Sequence, residues 1–306
     1  MRIAHFSDLH ILSLDGVSLH RFLNKRVTGY ANLRLKRGHI HHPDHVRAIA
    51  REVRRCGVDH VVITGDLTNL ALDEEFAAVR ALLDAELGLP PGDVSVVPGN
   101  HDLYTRGALR TKRFAKYFGE YMTTDLPELG VEIPLGRFPF VRLRGPAAII
   151  GLTSAVPRLP LFATGKIGQA QADALTRVLA HPEVRKRTPV LLMHHPVHNP
   201  ISTMKRFLTG LDDAALLWAS IRDVPRGLLL HGHLHTRIQR NVDTAAGRML
   251  SIGATSASLE HEDEGKMAGF NLYEIADSGE VCAIKAHVLN PKTETFEISS
   301  MPKLME

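Results

Sequence analysis

Cysteine is nearly missing from this chain. Cys56 and Cys282 are the two in 306 residues, which fits reduced, structural thiols in the cytoplasm better than a disulfide framework. Long apolar runs are missing too: no stretch approaches the roughly 20 residues that a membrane-spanning helix needs. The opening MRIAHFSDLHIL does not read as a signal peptide, because Asp8 and His10 interrupt any apolar core and no small-residue cleavage site follows. Internal repeats, low-complexity segments and linkers are lacking, which favours one domain over residues 1–306. The composition, 44% apolar and 23% charged, is that of an ordinary globular protein. A net charge of +4 is a weak pointer to polyanionic partners. What the chain has in excess is histidine, 18 in all, a hint of metal chemistry if the rings fall in the right places.

Apolar strands alternate with helical patterns. Strands are predicted at RIAHF, at 60–66 (HVVITGD), in VSVVPGNHD, at 140–145 and 147–152, at 189–195 (PVLLMHH) and at 227–235 (GLLLHGHLH). Helices are predicted at 43–56, where Val46, Ile49, Ala50 and Val53 form a stripe between Pro43 and Gly57, at 73–88, at 106–121 and at 168–180. The portion at about 245–290 is strand-rich, with a turn at Asp277-Ser278-Gly279. Such alternation predicts an α/β sandwich.

Five of these strands end in groups that can bind a metal. They deliver Asp8 and His10, Asp66, Asn100 and His101, His194 and His195, and His233 and His235. In open α/β sheets a site forms just beyond the carboxyl ends of the strands, so residues far apart in sequence can converge. Gly65, Gly99 and Gly232 each precede one of the polar residues, where a bare backbone allows a sharp turn. The donors are Asp, His and Asn with no thiolate. They suit Mn, Fe, Zn or Co and are too rich in nitrogen for a calcium or magnesium cage. Seven or more such groups exceed the needs of one ion, whereas two ions roughly 3.5–4 Å apart and sharing a carboxylate account for them, with Asp66 the natural bridge.

Each short pattern alone has a plain structural explanation as a turn, a cap or a solvated strand edge. The ordered set D-x-H, G-D, G-N-H-D, a strand ending in His, and G-H-x-H resembles the calcineurin-like metallophosphoesterase superfamily from Arg2 to about Thr236. The resemblance implies a four-layer αββα sandwich with a dinuclear centre. It implies one ion held by Asp8, His10, Asp66 and His235, and another held by Asp66, Asn100, His194 and His233. His194 is assigned as the ligand because it comes first after the strand, and His195 then supports it from behind. His101 would reach the phosphate as general acid or charge stabiliser, and Asp102 would orient it. Two divalent ions would neutralise the phosphate oxygens and bring the pKa of water towards ~7.

The branch resembled is that of the class III cyclic-nucleotide phosphodiesterases and glycerophosphodiesterases, whose HHP step and GHLH ending match here. This implies a small anionic phosphodiester as substrate. The chain reads GDLTNLA where Ser/Thr phosphatases carry an arginine-bearing motif, which argues against a protein substrate. A second feature points elsewhere. Residues 21–42 place six basic residues, Arg21, Lys25, Arg26, Arg34, Lys36 and Arg37, among apolar ones. They read either as a basic loop packed on the core or as a lid that touches an anionic lipid surface. The lid reading resembles the UDP-2,3-diacylglucosamine diphosphatases, which cut a lipid-linked pyrophosphate. Nucleic acid is a weaker expectation, because no separate DNA-capping domain is visible. A non-catalytic scaffold would show a broken ligand set, and here every expected ligand is present.

Overall fold

The computed structural model describes residues 1–13, 41–159 and 162–301. In chain order the strands among these are β1 (Arg2–Phe6), β2 (His60–Ile63), β3 (Val94–Val96), β4 (Val131–Ile133), β5 (Gly136–Phe138), β6 (Phe140–Arg144), β7 (Ala147–Gly151), β8 (Thr188–Leu192), β9 (Arg226–His231), β10 (Ile238–Asp243), β11 (Arg248–Gly253), β12 (Gly269–Ile275), β13 (Val281–Asn290) and β14 (Thr295–Ser300). One sheet has the order β14-β13-β12-β1-β2-β3, a second has β10-β11-β9-β8-β7-β6, and β4 and β5 form a separate hairpin. The centre of each sheet is parallel: β1, β2 and β3 in the first, and β7, β8, β9 and β11 in the second. Antiparallel strands flank both.

Side-chain parity shows how the layers stack, since successive residues of a strand face opposite ways. In β8, Val190 and Leu192 belong to the core shared with the first sheet, whereas Leu191 belongs to a second core on the far face. Strands β7 and β9 divide the same way, with Ile149 and Leu228 inward and Ile150 and Leu229 outward. The two sheets therefore meet face to face. Helices α1 (Pro43–Arg55) and α2 (Asp73–Glu86) pack into the first core through Val46, Ile49, Phe76 and Val79. The chain then forms α3 (Arg106–Arg110), α4 (Arg113–Phe118), α5 (Gln169–Ala180), α6 (Pro182–Arg185), α7 (Thr203–Thr209) and α8 (Ala214–Ile221). Leu175 of α5 and Leu217 of α8 cover the outer face of the second sheet. The result is the expected αββα stack.

Three expectations change. The helix predicted over 106–121 is two short helices and a 3-10 turn at Gly119–Met122, because Lys112 adopts a left-handed φ of 49° and ends the helical run. The strands predicted to reach 66, 195 and 235 stop at Ile63, Leu192 and His231, since the residues beyond them bend into loops. The strand-rich end extends past 290 through β14, which pairs along β13. No helix among the described residues is long and apolar enough to cross a membrane. The basic segment at 21–42 lies outside the described residues apart from His41 and His42.

The buried ring of His60 makes the fold sensitive to acid. It meets Ser95 Oγ through Nε2 at 2.8 Å, while its Nδ1 has no hydrogen-bond partner. Burial, then the nearby Arg142 and Arg144, push its pKa down from 6.5 to about 3. Below pH 6.5 the unfolded chain takes up this proton and the folded chain does not, so stability falls as pH drops from 6.5 towards 3, by roughly 1.4 kcal/mol per pH unit. Thermal melts of metal-free protein between pH 7 and pH 4 should therefore show a shallower fall for His60→Gln than for the wild type. Equal slopes would remove His60 as the source.

Candidate metal centre

Parallel strands in both sheets bring their carboxyl ends to one side, and the loops beyond them stay in register. The Asp8 N–H donates to the Gly65 carbonyl at 2.9 Å, His10 N–H to Asp66 at 3.0 Å and Ile11 N–H to Leu67 at 3.0 Å. In the other sheet Gly232 N–H donates to the His194 carbonyl at 3.1 Å. Among the described residues eight non-glycines have positive φ, and five of them are Asp8 (54°), His10 (47°), Asp66 (51°), His233 (67°) and His235 (49°). Left-handed backbone at such residues costs of order 1–3 kcal/mol each and clusters at functional sites. Close approach explains two of the glycines. A Cβ on Gly99 would lie 2.2 Å from Asp66 Oδ1, and one on Gly232 would lie 2.3 Å from Asp8 Oδ2.

Buried oxygens and ring nitrogens converge here. Asp8 is fully buried, and its Oδ1 has no hydrogen-bond partner, although His235 Nε2 lies 3.1 Å away. Nε2 of His10 and Nε2 of His235 face each other at 3.2 Å, and His10 Nδ1 is buried without a partner. His194 donates from Nδ1 to the Thr64 carbonyl at 2.7 Å. Its Nε2 therefore points at two oxygens, Asn100 Oδ1 at 3.1 Å and Asp66 Oδ2 at 3.3 Å. Three groups of candidate ligand atoms, Asp8/His10/His235, Asp8/Asp66/His194 and His10/Asp66/His101, each lie within 4.8 Å of one another. Converging carboxylates, lone-pair nitrogens and an orphaned buried oxygen fit divalent cations.

The structure also separates neighbours that the sequence leaves together. His195 has both ring nitrogens engaged, Nδ1 with Ser154 Oγ at 2.8 Å and Nε2 with the Ala163 carbonyl at 2.9 Å. That leaves His194 as the ring with a nitrogen to offer. His233 spends Nε2 on the Thr209 carbonyl at 3.0 Å, so Nδ1 is what it presents beside the His194 ring, 5.1 Å away between centroids. His101 donates from Nδ1 to the Asn69 carbonyl at 2.9 Å, and its backbone N–H donates to Asp66 Oδ1 at 2.7 Å. Asp102 is a correction. Its carboxylate accepts from the N–H groups of Leu67, Thr68 and Gly99 and from the Thr68 hydroxyl, so it braces the turn after β2, and the Asn69 carbonyl orients His101 instead.

Several supporting residues carry no sequence signal of their own. Thr64, Asn69, Ala163 and Thr209 contribute backbone carbonyls, and Ser256 Oγ donates to the Asp8 carbonyl at 2.6 Å. His41 lies with its ring 5.1 Å from that of His10, held by Ser258 Oγ at 2.7 Å. The GDLTNLA stretch contains Asn69, but nothing in it marks the carbonyl as the useful group.

The sequence model of the calcineurin-like phosphoesterases matches residues 1–237. The chain belongs to that family. Its fold is similar to that of a dimetal phosphatase from Danio rerio, at 15% identity and a TM-score of 0.56, covering 89% of this chain and 92% of that one. It is also similar to the purple acid phosphatase PPD1 from yellow lupin seeds, at 10% identity and a TM-score of 0.59, covering 97% of this chain and 52% of that one. A third likeness is to the sulfate thiohydrolase SoxB of Thermus thermophilus, at 16% identity and a TM-score of 0.51, covering 97% of this chain and 58% of that one. At these identities the likeness is one of fold. Among curated proteins none matches.

In this metallophosphoesterase burial and the facing carboxylates pull the site histidines in opposite directions. Burial opposes a charged His194, but Asp66 and then Asp8 outweigh it and raise the ring to about 9. Burial, then the neighbouring His101 and His235, hold His10 well below 6.5, ready as a neutral ligand. Burial and Asp66 push Asp102 up to about 7 against the three backbone N–H bonds it accepts. Cation binding therefore has to displace the His194 proton, so affinity should weaken as pH falls. Because a methyl group at 99 collides with Asp66 Oδ1, Gly99→Ala should lower metal content well below the wild-type stoichiometry by elemental analysis, with far-UV dichroism retained. A full metal complement in that variant would show that Asp66 is not a ligand.

Proposed function

We propose that this metal-dependent phosphoesterase cleaves a phosphodiester bond. In this reading Asp8, His10, Asp66 and His235 hold one divalent ion, and Asp66, Asn100, His194 and His233 hold the other, each being Mn, Fe, Zn or Co. The observation that carries it is the pair of ligand-atom groups Asp8/His10/His235 and Asp8/Asp66/His194, which share Asp8. When bound, the ions supply neutralisation of the phosphoryl oxygens and acidification of a water towards ~7.

The chain's own part is positioning and proton transfer. The Asn69 carbonyl keeps a proton on Nδ1 of His101 and turns Nε2 to the substrate, so the imidazolium form of His101 would give its Nε2 proton to the departing alkoxide or stabilise the charge at phosphorus. Asp66 accepts the His101 N–H and so sets the ring's place relative to the bridging carboxylate. Tyr104 stacks on the same ring at 5.8 Å and limits its rotation. Thr68 and Asn69 occupy the turn after Asp66. Neither brings the positive charge that suits a phosphate monoester dianion, and the single negative charge of a diester supports the diester reading.

His101→Ala is expected to keep both ions and to lose roughly 10²–10⁴ in turnover. The loss should be larger for a diester with a poor leaving group than for bis-(p-nitrophenyl) phosphate, which needs little help to depart. Steady-state assays with Mn²⁺ supplied, paired with elemental analysis, test this. Loss of metal in His101→Ala would refute the assigned role, and wild-type protein that turns over only monoesters would refute the diester reading.

A further inference from the structure

Six large hydrophobic side chains are exposed among the described residues, namely Leu159, Ile201, Met204, Phe207, Leu234 and Ile298. Five of them lie on segments that carry or hold histidines of the metal centre. Leu234 lies between His233 and His235. The other four sit on two segments that are bonded to each other: Ala163 N–H donates to the Leu208 carbonyl at 2.8 Å and Gly165 N–H to the Gly210 carbonyl at 2.9 Å. The Phe162 ring meets the Phe207 ring edge-on at 5.4 Å. The same two segments hold site histidines, through the Ala163 carbonyl on His195 and the Thr209 carbonyl on His233. The apolar rim and the centre are thus tied together through the backbone.

Helix α7 forms the most exposed part of this rim. Ser202 caps it by accepting the Lys205 N–H, and every residue from 201 to 207 is exposed. Ile201, Met204 and Phe207 are interleaved there with Lys205 and Arg206. Exposed apolar side chains gathered beside a site mark an interface. A second copy of the chain is a poor occupant, because pairing this face with itself would set Lys205 and Arg206 against like charges. An anionic bilayer accepts both kinds of residue: apolar side chains enter the acyl boundary while basic ones meet the headgroups. A water-soluble nucleotide gives Ile201, Met204 and Phe207 nothing to do.

We propose that the rim formed by Leu159, Ile201, Met204, Phe207 and Leu234 docks on an anionic lipid bilayer, and that the phosphodiester presented to the centre belongs to a lipid headgroup in that bilayer. The proposal rests on the phosphodiester reading of the centre and names its substrate class. The rim fixes the approach: phosphate at the membrane surface reaches the ions while the acyl chains stay in the bilayer.

Vesicle flotation of the full chain with Mn²⁺ supplied tests the docking, using phosphatidylcholine vesicles against vesicles of phosphatidylcholine with phosphatidylglycerol. Wild-type protein should float with the anionic vesicles only. Met204→Ser with Phe207→Ser, and Lys205→Glu with Arg206→Glu, should each weaken binding by about tenfold or more. Both double variants should keep wild-type turnover of bis-(p-nitrophenyl) phosphate, while their release of headgroup from phosphatidylglycerol vesicles falls with binding. Absence of wild-type binding to anionic vesicles, binding that both double variants retain, or self-association lost in the same variants would overturn the docking. Bound wild-type protein that cleaves bis-(p-nitrophenyl) phosphate but no vesicle phosphodiester would overturn the substrate class. Bound protein that cleaves neither would instead break the reading of the centre.

Discussion

A carboxylate taken out of water costs several kcal/mol unless a cation meets it, and this chain buries Asp8 and Asp66 side by side at the ends of two neighbouring strands. Much else in the molecule follows from that placement. Burial holds the rings of His10 and His233 below their ordinary range, whereas the two carboxylates raise His194 to about 9. Five candidate ligands sit in left-handed backbone that other positions would avoid. Bound cations offset both costs, so metal binding and the folding of these loops are one equilibrium.

The arrangement of strands is what allows a constraint of this kind to be met. Parallel order in both sheets sends the ends of β1, β2, β3, β8 and β9 to the same edge of the sandwich. The ladder then continues past the strands, with Asp8 bonded to Gly65 and Gly232 to His194. Loops that remain in register carry side chains to fixed places without helices of their own. The glycines follow from the same closeness. At 99 and 232 the neighbouring backbone or carboxylate already occupies the volume of a Cβ.

That logic explains which parts were legible in the sequence. The stripe Val46, Ile49, Ala50 and Val53 and the buried runs of β8 and β9 repeat at helix and strand periods, so periodicity reveals them. The candidate ligands were legible because each is a polar residue that breaks an apolar run. Asp102 misled for the same reason. It follows His101 in the chain, yet its carboxylate turns to the N–H groups of Leu67, Thr68 and Gly99, and adjacency in sequence does not say which way a side chain turns in a tight loop. The acceptors that orient His101, His194 and His233 are backbone carbonyls of Asn69, Thr64 and Thr209. Any residue type supplies a carbonyl, so no residue type betrays it. The break at Lys112 is equally silent, since lysine is a good helix former on average.

The use of carbonyls has a further consequence for selectivity. A pair of cations recognises a tetrahedral phosphoryl group and is indifferent to the alcohols attached to it, so choice among esters has to come from what surrounds the centre. Here the surroundings are joined to the site by main-chain groups: Ala163 to His195, which supports the site, and Thr209 to His233, a candidate ligand. The solvent-facing side chains of 201–207 take no part in those bonds. Their chemistry can therefore change without disturbing ring orientation or charge at the centre, provided the backbone of α7 and its Ser202 cap persist. The demanding, strained and buried part of the molecule holds the candidate ligands, and the rim is joined to it through main-chain groups while its side-chain chemistry stays independent.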